Sequence, residues 1–313
     1  MSEADSEVTA AEAAQQGTER APGNGLLLAA VGIVWMAGTL WSARATITAR
    51  VDAEMEVTNT AYALPGAVSA SLVAGAAVAL AVIAYLTRGG RTTSTTVRFI
   101  IATGAGLGVG LLGALAMLTI NTEGWIYQVL GGTIAAAATR GGALGGFRRP
   151  QVTAAVCWGA VTVFVVGVAL SFLTDDLLPV FGAGSSAGSQ TSAVGWLSFT
   201  QSVVSGVAGA LVAYKILRRT HGPDLRWPWY ALAGGGPGLL LLVSEGLTRT
   251  AGARLVELAG KVSDLEQVVQ QILAQARLES ALIVMFVGAF TAMIAVGRTL
   301  GKPEPATPAR PAP

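Results

Sequence analysis

Long apolar stretches alternate with short loops along this chain, and every second short loop carries arginines. The segment 87–98 holds Arg88, Arg91 and Arg98, the segment 140–150 holds Arg140, Arg148 and Arg149, and the segment 215–228 holds Lys215, Arg218, Arg219 and Arg226. The short loops between them, 121–124 and 174–192, contain no Lys or Arg. This alternation is the positive-inside signature of a polytopic helical membrane protein. It predicts an all-α chain of about eight transmembrane helices with both ends in the cytoplasm.

Composition agrees. Charged residues make up 12% of the chain and hydrophobic residues 52%, against about 25% charged in an ordinary soluble domain. Mean hydropathy is +0.59. Arg outnumbers Lys 17 to 3. No arginine run interleaves with aromatics, so this is read as GC-rich bacterial coding and not as a nucleic-acid surface. The expected location is the plasma membrane of such a bacterium, with the lipid bilayer as the first partner. One Cys (Cys157) and one His (His221) are too few for a Cys or His metal cluster. No metal and no cofactor is expected.

Residues 1–24 carry five acids and one base and read as a solvated cytoplasmic tail, and 301–313 as a Pro-rich one. The membrane domain, 25–300, divides into eight apolar segments: 25–41, 62–86, 99–120, 124–139, 152–173, 193–217, 229–247 and 281–296. The fourth is short for a span of about 20 residues. The matching arginine loops on either side of segments three and four require an even number of crossings between them, so the fourth is expected to cross. This topology puts 14 of the 20 basic residues inside. Trp41, Trp125, Trp196, Trp227 and Trp229 fall near segment ends, as interfacial anchors do.

Two internal matches stand out. The run before Arg88, VAGAAVALAVIAYL, resembles GVAGALVAYKIL before Arg218, and Gly104-Ala105-Gly106 and Gly234-Gly235-Gly236 follow those arginines at equal distance. Thr87-Arg88-Gly89-Gly90 also resembles Thr139-Arg140-Gly141-Gly142. Together they predict three related hairpins, from segments two and three, four and five, and six and seven.

Four features bear on function. Segment three holds Gly104, Gly106, Gly108 and Gly110, two overlapping GxxxG pairs expected at helix-packing faces. Segment seven holds Gly234, Gly235, Gly236 and Pro237, where a kink or unwound turn is expected. With Glu245, at the water-reachable outer end of its span, and Gln201, these residues outline a possible solute pathway, since broken helices mark binding sites in transporters. The only other polar candidate is Gln128.

The outer segment 248–280 shows a heptad pattern. Leu255, Val262, Val269 and Ala276 form one seam position and Leu258, Leu265 and Ile272 the other. This predicts one continuous amphipathic helix, about 32 Å long from Leu255 to Ala276, that needs a partner for its seam. Finally, apolar and polar residues alternate from Ile47 to Thr58, the period of an exposed strand.

Enzyme motifs fail: HExxH needs two histidines, Asp175-Asp176 has no second acidic motif, and the Gly184–Ser189 run has no base nearby and reads as a flexible linker. The expectation is a non-enzymatic assembly or accessory membrane subunit that forms a homo-oligomer or docks another membrane protein through Leu255, Leu258, Val262, Leu265, Val269 and Ile272. The alternative is a small-solute transporter or channel.

Overall fold

A computed structural model describes residues 25–48, 53–88, 94–120, 125–147, 149–221 and 225–298. Both expected tails, the turn at 121–124, Arg91 and Arg148 lie outside these residues. So does the side chain of Val262. The described residues form ten helices and no strand: α1 (Gly25–Thr48), α2 (Ala53–Thr87), α3 (Thr95–Leu118), α4 (Trp125–Gly145), α5 (Pro150–Phe172), the single turn α6 (Thr174–Leu177), α7 (Ala187–His221), α8 (Trp227–Thr250), α9 (Ala253–Val262) and α10 (Asp264–Gly297).

Seven helices, α1, α2, α3, α5, α7, α8 and α10, are long and apolar enough to cross a membrane. The protein is therefore a multi-pass helical membrane protein. In hydrocarbon only such internally bonded helices satisfy the backbone. The fourth segment is α4, 21 residues, or about 31 Å. It is not among those seven, but its packing matches a full crossing. It runs antiparallel to α3, from Gly131 beside Ala114 to Gly142 beside Ala102. It runs parallel to α2, from Tyr127 at Glu56 to Gly145 at Ala76 and Ala79.

Close backbone approach holds these helices together. A methyl on Gly106 would stand 2.7 Å from the Gly142 Cα, and one on Gly110 2.7 Å from the Ala135 Cα. One on Gly141 would run into the Leu72 carbonyl oxygen, and one on Gly75 into that of Ala138. Of the two GxxxG pairs in α3, only 106/110 packs; Gly104 and Gly108 meet nothing within 4 Å. Two residues along a helix is about 200° of rotation, so the pairs lie on opposite faces. The α2 helix sits at the centre, with Leu64, Val68, Leu72 and Ala74 fully or almost fully buried.

The helices form two four-helix groups with one pattern of neighbours. In the first, α2 packs on α1, α3 and α4, and α3 pairs with α4; in the second, α7 packs on α5, α8 and α10, and α8 pairs with α10. Glycines recur at the matching contacts. Gly106 against Gly142 in the α3–α4 pair corresponds to Gly234 against Gly288 in α8–α10, and Gly32 against Ala74 in α1–α2 to Gly159 against Gly209 in α5–α7.

The expected three hairpins are corrected accordingly. Two of the sequence matches align α2 with α7 and α3 with α8, the same positions in the two groups. The third, Thr87 with Thr139, joins α2 to α4 within one group. The α4–α5 pair is not a hairpin unit, because its helices belong to different groups and barely touch.

The alternating segment from Ile47 to Thr58 also differs from its expected strand. Residues 47–48 end α1 and 53–58 begin α2. Asn59 donates a side-chain hydrogen bond to the Thr46 carbonyl, and Tyr127 donates to Glu56 at 2.5 Å. A lone strand has no ladder partner here, whereas the helix satisfies its own backbone and buries Ala61 and Leu64.

Gly141→Ala is expected to lower the thermal midpoint of the detergent-extracted protein, since overpacking costs about 1–3 kcal/mol. Gly108→Ala meets open space and gains helix propensity of about 1 kcal/mol, so its midpoint stays level or rises. Equal losses for both would contradict this packing.

Candidate functional site

The residues expected to break segment seven lie in a continuous helix. α8 is an unbroken helix through Gly234, Gly235, Gly236 and Pro237. Its glycines are filled from outside: Gly234 meets Gly288 and Ala292 of α10, Gly235 meets Met285, and Gly236 meets Val156 of α5. The Pro237 ring lies where a methyl on Gly159 would stand, 2.7 Å away. These residues are contact surfaces on three sides, and no turn is unwound to expose carbonyls. Gln201 donates to the Gly167 carbonyl at 3.1 Å and ties α7 to α5. Gln128 is exposed.

Glu245 is also corrected. It is not water-reachable but 4% exposed. Arg249 Nε donates to its Oε1 at 2.9 Å, and Arg277 Nε donates to its Oε2 at 3.0 Å. Arg249 also donates to the Ala274 carbonyl. The sequence pattern missed Arg277, 32 residues away, because only the antiparallel packing of α8 and α10 brings it near. The cluster clamps together the C-terminal end of α8 and the N-terminal half of α10.

The outer heptad does not form one helix. Ser263 is extended (φ −159°, ψ 155°) and caps α10 by accepting from the Glu266 N–H. α9 folds onto the bundle, burying Leu255 and Ala259 fully. Leu258 and Val269 are half-buried. A side-chain acceptor at Ser263 ends the seam, and α2 partners its first half. The second half remains open, with Leu265 74% exposed, Val268 51% and Ile272 62%. The Gly184–Ser189 run is ordered in part: Ser186 accepts from the Ser189 N–H at the start of α7.

A crevice between the two four-helix groups was not legible in the sequence. At the arginine-rich end it opens as a cleft of about 470 Å³. Leu28 of α1, Leu80, Ile83 and Arg88 of α2, and Arg98 of α3 line one wall; Ala154 and Trp158 of α5 and Ile216 and Arg219 of α7 line the other. Two turns deeper lies a cavity of about 90 Å³ bounded by Trp35, Ser69, Val73, Ala160, Phe164, Pro237 and Leu240. Trp35 stacks on Phe164 across the groups at 4.5 Å. Its indole Nε1 is buried without a hydrogen-bond partner among the described residues. At the opposite end of the bundle α9 packs on α2, with Gly252 against Leu64.

The arginines at the open end divide by partner. Arg149 stacks on Trp229 with its guanidinium carbon 4.5 Å from the ring, and Arg218 donates to the Tyr214 hydroxyl. Arg98 donates two N–H groups to the Gly146 carbonyl at 3.3 Å. Among the described residues no carboxylate pairs with Arg88, Arg98 or Arg219. Comparison with protein-family models, curated proteins and solved structures finds no match to this chain.

Replacing Arg249 and Arg277 together by Ala is expected to destabilise the protein by about 3 kcal/mol or more, because it leaves the Glu245 carboxylate buried and unpaired. Adding Glu245→Gln should restore much of the thermal midpoint. A double variant as stable as the wild type would show the clamp contributes nothing.

Proposed function

We propose that this protein is a small-solute transporter, with the crevice between its two four-helix groups as the solute pathway. One observation carries the reading: two four-helix groups with one pattern of neighbours flank a cleft at the arginine-rich end and a small cavity two turns deeper. Parallel repeats with a binding site between them are a recurring transporter design. The positive-inside rule assigns the arginine-rich end to the cytoplasm, so this conformation is inward-open, and the membrane is the plasma membrane of a bacterium.

The walls specify the kind of solute. The mouth is cationic, while the deeper lining of Leu28, Leu80, Trp158, Trp35 and Phe164 is apolar and aromatic. Such a pathway suits a small organic anion with an apolar or aromatic body. An unpartnered buried N–H costs about 1–3 kcal/mol, so Trp35 Nε1 is a donor that a solute acceptor would satisfy midway.

A second reading rests on the exposed outer turns of α10. Leu265, Val268 and Ile272 lie beyond the Arg277 level, in the outer aqueous layer, where a bare apolar face favours association. It makes the protein an assembly subunit, with a second copy or another membrane protein on this face. The two readings are compatible.

In a Cys157→Ala background, Ala84→Cys is expected to react with a membrane-impermeant maleimide from the cytoplasmic face and not from the outer face. Val73→Cys should react from neither until a transported solute is supplied. Loss of the cytoplasmic reactivity, or no flux above empty liposomes for a panel of organic anions, would sink the transport reading. For the second reading, Leu265→Asp should dissociate the complex seen by native mass spectrometry after gentle extraction, and an unchanged complex rules this face out as the interface.

A further inference from the structure

The open cleft carries arginines that no carboxylate pairs with among the described residues. Arg88 directly follows α2 in the first helical group, and Arg219 lies in the last turn of α7 in the second. Both are exposed and line the same cleft, and neither has a hydrogen-bonding or ionic partner among the described residues. Arg98 adds a third guanidinium, held in place by the Gly146 carbonyl with its remaining N–H groups uncommitted. The neighbouring Arg149 and Arg218 are engaged by Trp229 and Tyr214. The positive charge directed at the cleft is therefore specific to three residues from three helices.

We infer that this cleft binds a phosphate group, gripped between Arg88 and Arg219 from opposite walls with Arg98 beside them. The choice of anion follows from the geometry of the walls. A carboxylate presents two oxygens in one plane, which suits one guanidinium fork. A phosphate ester presents two or three non-bridging acceptor oxygens directed apart from a tetrahedral centre and carries one or two charges, so it can bridge guanidiniums that approach from different sides. A charged cleft with low-dielectric walls focuses its field and concentrates such an anion. Below the arginines, Trp158, Leu28 and Leu80 offer an apolar surface to the organic remainder, and about 470 Å³ accommodates a small ester. Two sources share this chemistry: a soluble organophosphate from the cytoplasm, or the headgroup of an anionic phospholipid in the inner leaflet.

The inference deepens the transport reading by naming its substrate class, but its test measures binding alone. Binding without flux would overturn the transporter and leave the phosphate site standing. The full-length protein in phosphatidylcholine nanodiscs is titrated with glycerol 3-phosphate, inorganic phosphate and acetate by calorimetry. In parallel, retained phosphatidylglycerol is measured by native mass spectrometry of the protein extracted in detergent.

Phosphate probes should bind and acetate should not. Arg88→Gln or Arg219→Gln should each weaken binding about tenfold or more, the loss of one charge-assisted hydrogen bond. The Arg88→Lys/Arg219→Lys pair, which keeps charge and solubility, should weaken it less than the Gln pair. Arg226→Gln, at the same end but outside the cleft, should bind as the wild type does. Binding of the soluble ester identifies a cytoplasmic organophosphate. Retention of phosphatidylglycerol, lost in the Gln pair, identifies a lipid headgroup. Absence of both, or equal binding by the wild type and the Gln pair, overturns the proposal.

Discussion

Everything in this structure depends on helix backbones approaching until only hydrogen fits between them. In lipid, apolar side chains gain nothing by leaving one apolar surface for another, so helices associate through close packing and a few polar links. Gly106 against Gly142, Gly75 against Ala138, Gly141 against Leu72 and Gly234 against Gly288 are such contacts. They place α2 and α4 side by side and make α4, the least apolar of the long helices, a full member of the bundle. The abundance of glycine, 40 residues, is concentrated in effect at these seams, while others such as Gly104 and Gly108 face open space.

The same contacts recur in α5, α7, α8 and α10, and this repetition creates the crevice. Each group is tight within itself and meets the other through fewer contacts, chiefly α2 against α5 and α8. Packing is thus strongest where helices of one group pair and weakest along the boundary. The boundary holds the Trp35–Phe164 stack, the small inner cavity and the arginine-lined mouth. At the outer end the arrangement is reinforced: Glu245 is held by two arginines, and α9 bridges to α2. A boundary that opens as a cleft at the arginine-rich end is the mechanical basis of the transport proposal.

Patterns that depend on local physics were legible in the chain. The apolar segments appear as helices close to their expected positions, because hydropathy and length decide membrane insertion. The fragment resemblance of α2 to α7 and of Gly104–Gly106 to Gly234–Gly236 was already visible and marks corresponding places in the two groups. Where reading failed, a tertiary partner had overridden a local signal. The described parts of the alternation, 47–48 and 53–58, are helical because one helix ends and the next begins there. The heptad from Leu255 to Ala276 breaks at Ser263 because α2 takes its first half. Pro237 leaves α8 unbroken, since Gly159 makes room for its ring.

The sequence by itself determined the environment and the approximate number of crossings, because these follow from the free energy of placing each segment in lipid. Tertiary structure alone decided which glycines touch, that Arg277 reaches Glu245, and that Arg88 and Arg219 face each other across a cleft. Those facts join residues from 17 to 131 positions apart. No periodicity in the chain encodes such a pairing, which exists only when helices pack in one particular order.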